Sequence, residues 1–326
     1  MGAQEPATES ATMRTVRFHE YGEPADVLRL EQVAVPEPGP DRIRVIVHAC
    51  GLNPADWALC RGLFPGALPR GIGLEVSGTV DAVGPGVDDV AVGDLVLGPA
   101  DYAGGTSAGA ADRAIMDRWT RVPAGLDLVQ AAVLPMAAET AYWHLENLGV
   151  SAGQTLLVSG AGTTVGFAAV QLGLLRGARV VATAGDTYAG RLRALGAAVT
   201  SYGDGLAGRV AEAAGGPVDL VLDTAPPSGV LPDLIQAAGG DPRRVLTISD
   251  FTAAAKLGAR DSFHEDWPPR RNVLSEFAQL AADGQFTIPV ARTFPLEDWR
   301  TALGISQSGH AHGKLVLLAA DRDVIR

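Results

Sequence analysis

The stretch that decides the fold is LLVSGAGTTVGFAAVQLG, residues 156–173. It reads as a strand, a glycine-rich turn and the opening of a helix. Gly160, Gly162 and Gly166 punctuate the turn. A Cβ at such a turn blocks a pyrophosphate, and the helix N-terminus offers free N–H groups and partial positive charge. Thr163 and Thr164 stand where glycine is expected, and Thr164 and Val165 separate Thr163 from Gly166, so the G-x-G-x-x-G spacing is not strict. The threonine hydroxyls can donate to phosphate oxygens and their backbone N–H groups remain. The bland alternative is a tight strand–helix turn that binds nothing.

The flanking sequence repeats this pattern. TLLVSG precedes VGFAAVQLGLLRG, ARVVATA precedes GRLRALGA, VDLVLDTA precedes LPDLIQAAGG, and RRVLTIS follows. Short continuous apolar runs alternating with three- and four-spaced apolar segments predict an α/β fold with a doubly wound parallel sheet. Upstream, TVRFHEYG, LRLEQVAVP, DRIRVIVHACG and GLEVSGTVDAVGPGV carry β-branched alternation closed by Pro or Gly. They predict a mostly antiparallel β unit from about Met13 to Pro135. LPMAAETAYWHLENLG reads as a helix between the two, and NVLSEFAQLAADG as another near the end, followed by a final strand, GKLVLLAA. The expected division is a disordered lead over 1–12, a β domain over 13–134 and 261–326, and a dinucleotide-binding domain over 135–260.

The 326 residues are long for one domain, and 47% are apolar, which suits a sizeable core. The net charge of −11 comes with no basic run, so no nucleic-acid partner is expected. No apolar run approaches the roughly 20 residues that span a bilayer. MGAQEPATES lacks an apolar signal region, and Pro6 breaks a myristoylation motif. The expectation is a cytoplasmic protein. Cys50 and Cys60 read as small half-buried core residues, because two thiols make neither a disulfide framework nor a four-ligand zinc site.

The second parallel strand bears on the cofactor. NAD sites place an acid at its tip for the ribose 2′-hydroxyl. Here the tip is Thr183, Ala184 and Gly185, with Asp186 following. A small uncharged tip leaves room for a 2′-phosphate, which Tyr188 with Arg191 or Arg193 could contact. Arg193 reads better as part of a solvated helix face.

HACGLNPADWALCRG, GLEVSGTVDAVGPGVDDVAVGDLVLG, LPMAAETAYWHL, VDLVLDTA and FPLEDWRTALGISQSGHAHGKLVL resemble, in order and spacing, segments of the zinc-independent medium-chain dehydrogenase/reductases of the quinone oxidoreductase type. The resemblance implies a GroES-like β domain, a Rossmann domain and an active-site cleft between them. Zinc-dependent relatives carry a catalytic Cys where Asn53 stands and a His where Leu74 stands in GLE. Neither residue is a useful zinc ligand, so no metal is expected.

By the same resemblance, Asn53 and Thr140 line a nicotinamide site and Phe64 stands where relatives have a Tyr; pocket shape is expected to depend on Phe64, Tyr102, Phe251 and the DSFHEDWPPR loop. Tyr202 corresponds to a tyrosine near the adenosine, and Lys314 to a lysine near the cofactor. The bland readings are that Asn53 caps the NPAD turn, that Thr140 is a plain helix residue, and that Lys314 is a solvated charge. Ser249 and Phe251 lie past a strand end, where such sheets meet ligand. Thr224 and Val165 complete the expected cofactor set.

The lysine usual before GRLRALGA is missing, and Pro226 and Pro227 stiffen a neighbouring loop. The expected activity is NADPH-dependent reduction of a quinone or of the C=C bond of an α,β-unsaturated carbonyl, by a homodimer acting on a small electrophile. The alternatives are a cofactor-binding relative without activity, and an enzyme diverted to a tailoring step such as cyclisation.

Overall fold

The structure is a computed structural model, and it describes residues 11–103, 105, 107–266 and 273–319. The chain divides into two compact units, residues 1–133 with 290–326, and residues 134–289.

In the first unit, long alternating strands pair in sequence-distant antiparallel ladders. Ile43–Leu52 is central: it pairs with Glu75–Val83 on one side and Lys314–Leu318 on the other, and Arg113–Met116 also joins it. The sheet continues through Leu95–Pro99 to Thr120–Arg121, and Val290–Pro295 adds a parallel edge beyond Lys314–Leu318. A smaller sheet joins Arg29–Ala34, Thr12–Phe18 and Arg70–Gly71. Phe18, Val45, Val76, Met116, Trp299 and Leu317 belong to the core that results.

Among the described residues of the second unit, six strands form one all-parallel sheet. Their order is Ala198–Thr200, Arg179–Thr183, Thr155–Ser159, Leu220–Asp223, Val245–Thr247 and Arg260–Asp261. Every residue of Thr155–Ser159 is buried, which is why this strand is apolar without alternation. The chain starts at that central strand, winds outward one way, then returns to wind the other. The reversal falls between Thr155–Ser159 and Leu220–Asp223, and ligands in such sheets bind beside this switch point.

Three expectations need correction. Thr12 is already paired in a strand, opposite Ala34, so the ordered chain begins before residue 13; residues 1–10 lie outside the described residues. Residues 261–289 belong with the parallel sheet rather than the β unit. The Gln171 amide explains why: it donates to Thr287 O at 2.9 Å and accepts from Thr287 N at 3.0 Å, while Phe286 packs on Phe277. The cysteines are fully rather than half buried, Cys50 at 1% and Cys60 at 0% exposure.

Candidate functional site

The glycine turn of the second unit is built by hydroxyls. Gly160 adopts φ 74°, and a Cβ there would stand 2.6 Å from Ala225 N. A Cβ on Gly166 would stand 2.4 Å from Gly160 O, so glycine lets the helix Thr164–Leu175 close onto the strand. Thr163 is the helix N-cap, its hydroxyl accepting from Gly166 N at 3.0 Å. That oxygen also lies 3.0 Å from Thr224 Oγ1, which donates to the carbonyls of Ser159 and Gly160. Either hydroxyl of the Thr163–Thr224 pair can be the donor in that contact. The Thr163 hydroxyl is thus engaged with Gly166 N and Thr224 within the chain. The N–H groups of Thr164 and Val165, in the first helical turn, are the ones that helix geometry leaves open. Thr164, Val165 and Gly162 are all half-buried.

Thr183 is likewise internal: its hydroxyl accepts from Gly160 N at 3.0 Å and its carbonyl from Ala161 N at 2.9 Å. Tyr188 does not reach outward either. Its ring is buried against Phe167, and a Cβ on Gly162 would lie 3.3 Å from it. Burial raises its phenol pKa, opposed by nearby Arg191. Arg191 and Tyr202 are exposed, and the Tyr202 hydroxyl lies near Gly185 at the second strand's tip. The Ser249 hydroxyl donates to Ala225 O, and the Phe251 ring packs on Phe263 with centroids 4.3 Å apart. Thr140 is half-buried in the helix Leu134–Leu148, its carbonyl accepting from His144 Nδ1.

The first unit holds a buried polar cluster that the sequence did not announce. Lys314 is 3% exposed, so it is not a solvated charge. Its ammonium lies 2.5 Å from Glu75 Oε1 and donates to Asn53 Oδ1 at 2.5 Å. The Asn53 amide in turn donates to Glu75 Oε1 at 3.0 Å and to Gly51 O at 3.4 Å. The side chain of Asn53 is thus turned into this cluster, and Asn53 also stands as the N-cap of the helix Pro54–Cys60, in a capping box with Asp56. Its backbone N–H donates to the Asp56 carboxylate, which also accepts from Gly73 N. Burial pushes Asp56 up to about 7, against these two hydrogen bonds and with Glu75 adding to the rise.

Phe64 stands at φ 54° with 53% exposure, and its carbonyl accepts from Arg70. Tyr102 is half-buried. Asn53, Phe64, Tyr102 and Lys314 lie in the first unit, and the remaining candidates in the second. Glu75 and Asp56 were missed. Glu75 directly follows Leu74 in GLE, but its partner Lys314 is far away in sequence, and no local spacing joins them. Among the described residues, no three His, Cys, Asp or Glu side chains converge as a metal site, and no helix is long and apolar enough to cross a membrane.

A GroES-like β domain and a Rossmann-type sheet with a glycine turn at its switch point define a class, the dinucleotide-dependent dehydrogenases and reductases. Residues 39–125 match the alcohol dehydrogenase GroES-like domain family, and residues 195–317 the zinc-binding dehydrogenase family. The chain is 36% identical over 185 residues to the human quinone oxidoreductase, covering 55% of each protein. It is 40% identical over 202 residues to erythronolide synthase EryA2 of Saccharopolyspora erythraea, covering 58% of this chain and 6% of that one. The matches thus span about half of the curated quinone oxidoreductase and a small part of the synthase. Among solved structures, the quinone oxidoreductase from Coxiella burnetii aligns with a TM-score of 0.75 at 26% identity, over 95% of this chain and all of that one. The chain belongs to the medium-chain dehydrogenase/reductase family, among its quinone oxidoreductase-like members.

Proposed function

We propose that the chain is a zinc-free, NADPH-dependent reductase of a quinone or of the C=C bond of an α,β-unsaturated carbonyl. One observation carries the reading: the Lys314 ammonium is buried on Glu75 and on Asn53, the residue that by resemblance stands where zinc-dependent relatives have a catalytic Cys. Buried carboxylates need such a partner, and here a side chain provides it. Asn53 and Leu74 offer no zinc-binding group.

The residues fit a dinucleotide. The open N–H groups of Thr164 and Val165 with Gly162 suit the pyrophosphate. No acid stands at the tip formed by Thr183, Ala184 and Gly185, which suits a 2′-phosphate, and Arg191 and Tyr202 are exposed to receive it. When bound, the dihydronicotinamide supplies a hydride. The chain's part is then to orient the two reactants and exclude water. Exposed Phe64 brings an apolar face without a proton donor, which favours an apolar substrate. The matches to polyketide synthases favour the unsaturated carbonyl over the quinone and agree with a biosynthetic tailoring step.

The test is NADPH consumption with a panel of enones and quinones, before and after dialysis against a chelator, alongside thermal shift by NADPH. Turnover that survives chelation is expected. Absence of both turnover and thermal shift, or loss of turnover on chelation with recovery on adding zinc, overturns the reading. One observation favours a second reading, a dinucleotide-binding protein without reductase activity. Both N–H groups of Asn53 are engaged within the chain, leaving it no donor for a carbonyl. Tight NADPH binding without turnover on any electrophile would select that reading.

A further inference from the structure

Loop 201–205 joins the edge strand Ala198–Thr200 to the helix Leu206–Ala214. All five of its residues are exposed, and Gly203 and Gly205 have φ of 95° and 76°. The loop carries Tyr202, which is 68% exposed and so is not held by packing. Yet the Tyr202 hydroxyl has a definite place: a Cβ built on Gly185 would stand 3.6 Å from it. Gly185 is the N-cap of the ten-residue helix Asp186–Leu195, and no side chain caps that helix.

One residue ties the loop down. Arg209 Nη1 donates to Asp204 O at 2.6 Å, and Nη2 donates to Ser201 O at 3.1 Å and Gly203 O at 3.2 Å. The two Nη2 acceptors flank Tyr202, so the guanidinium brackets the peptide whose direction sets the ring. A Cβ on Gly205 would stand 3.2 Å from Arg209 Nη1, so glycine there leaves room for the clamp. The pose leaves Arg209 Nε buried with no partner among the described residues. The planar guanidinium spreads its donors over two nitrogens to reach the three carbonyls, whereas an ammonium presents its three donors from one point.

We infer that Arg209 is a positioning residue, holding Tyr202 over Gly185 at the tip of the second parallel strand and thereby setting the preference for a 2′-phosphorylated dinucleotide. The inference rests on the NADPH reading above. Arg209 acts through Tyr202, by fixing before binding a loop that would otherwise have to be ordered by the ligand.

The test uses the full chain and two readouts. Hydrogen exchange without ligand should quicken at amides 202–205 in Arg209→Lys, since exchange follows local opening. Calorimetry should show NADPH binding weakened about fivefold or more and NADH binding less than about twofold. In a Tyr202→Phe background the further loss from Arg209→Lys should fall below about twofold, because the two residues act as one device. Gly205→Asn, which tolerates a left-handed backbone but crowds the guanidinium, should reproduce the effect. Unchanged exchange, equal weakening of both dinucleotides, or losses that multiply with Tyr202→Phe would overturn the inference alone. A wild-type chain that binds neither dinucleotide overturns the cofactor reading with it.

Discussion

At the scale of single residues, the buried cluster of the first unit dominates. Glu75 and Lys314 have side-chain exposures of 0% and 2%, so removing one partner strands the other. Lys314→Met should cost about 3–5 kcal/mol in urea unfolding, and adding Glu75→Gln should restore much of it. A loss below about 1 kcal/mol in the single variant would contradict the pairing.

Asp56 makes a second prediction, in pH. Its carboxyl is pushed from 3.8 up to about 7, chiefly by burial, so the folded chain holds a proton that the unfolded chain releases above about 3.8. Its contribution is therefore fully present below about pH 4 and lost as the pH rises through about 7. Asp56→Asn removes this titration, so the stability difference between variant and wild type should shift in the variant's favour by up to roughly 4 kcal/mol as the pH rises across that window. Melting temperatures of the two proteins at matched pH values measure it. Burial also pushes both thiols up, Cys50 well above 9.0 and Cys60 to about 12. Neither should react with a disulfide reagent in the native state.

At the scale of elements, the strand–turn–helix of the second unit was legible and its chemistry was not. Glycine punctuation and apolar runs located Thr155–Ser159 and Thr164–Leu175 because both signals are local. The internal contacts of Thr163, Thr183, Thr224 and Tyr188 were not legible for the opposite reason: what each hydroxyl or ring faces depends on strands that meet only in the sheet. Thr163→Val should cost about 1 kcal/mol by removing the cap, while Thr163→Ser stays near wild type. Gly166→Ala should cost about 2 kcal/mol or more, because its Cβ would stand 2.4 Å from Gly160 O and 2.6 Å from the Thr224 hydroxyl. Denaturant midpoints of the three variants decide both. The strands Ala198–Thr200 and Arg260–Asp261 escaped the sequence reading because three and two residues are too short to show a period.

At the scale of the whole molecule, the two units differ in how the chain supplies them. The second is continuous, and its core is made within residues 134–289. The first draws Phe294, Trp299, Leu303, Leu315 and Leu317 from the far end of the chain into its core. A fragment of residues 1–133 should therefore stay unfolded, and a fragment of 134–289 should fold, as amide dispersion in NMR spectra would report. By itself, the sequence determined the class of fold, the order of the two kinds of unit and the place of the glycine turn, since periodicity and punctuation are properties of neighbouring residues. Only the tertiary structure decided that Lys314 is a buried partner of Glu75 and Asn53, that 261–289 belongs to the parallel sheet, and that the Thr163, Thr183 and Thr224 hydroxyls bond within the chain. Each of those depends on contacts between residues far apart in the chain, and in the interior a polar group's role is set by whichever partner the fold brings to it.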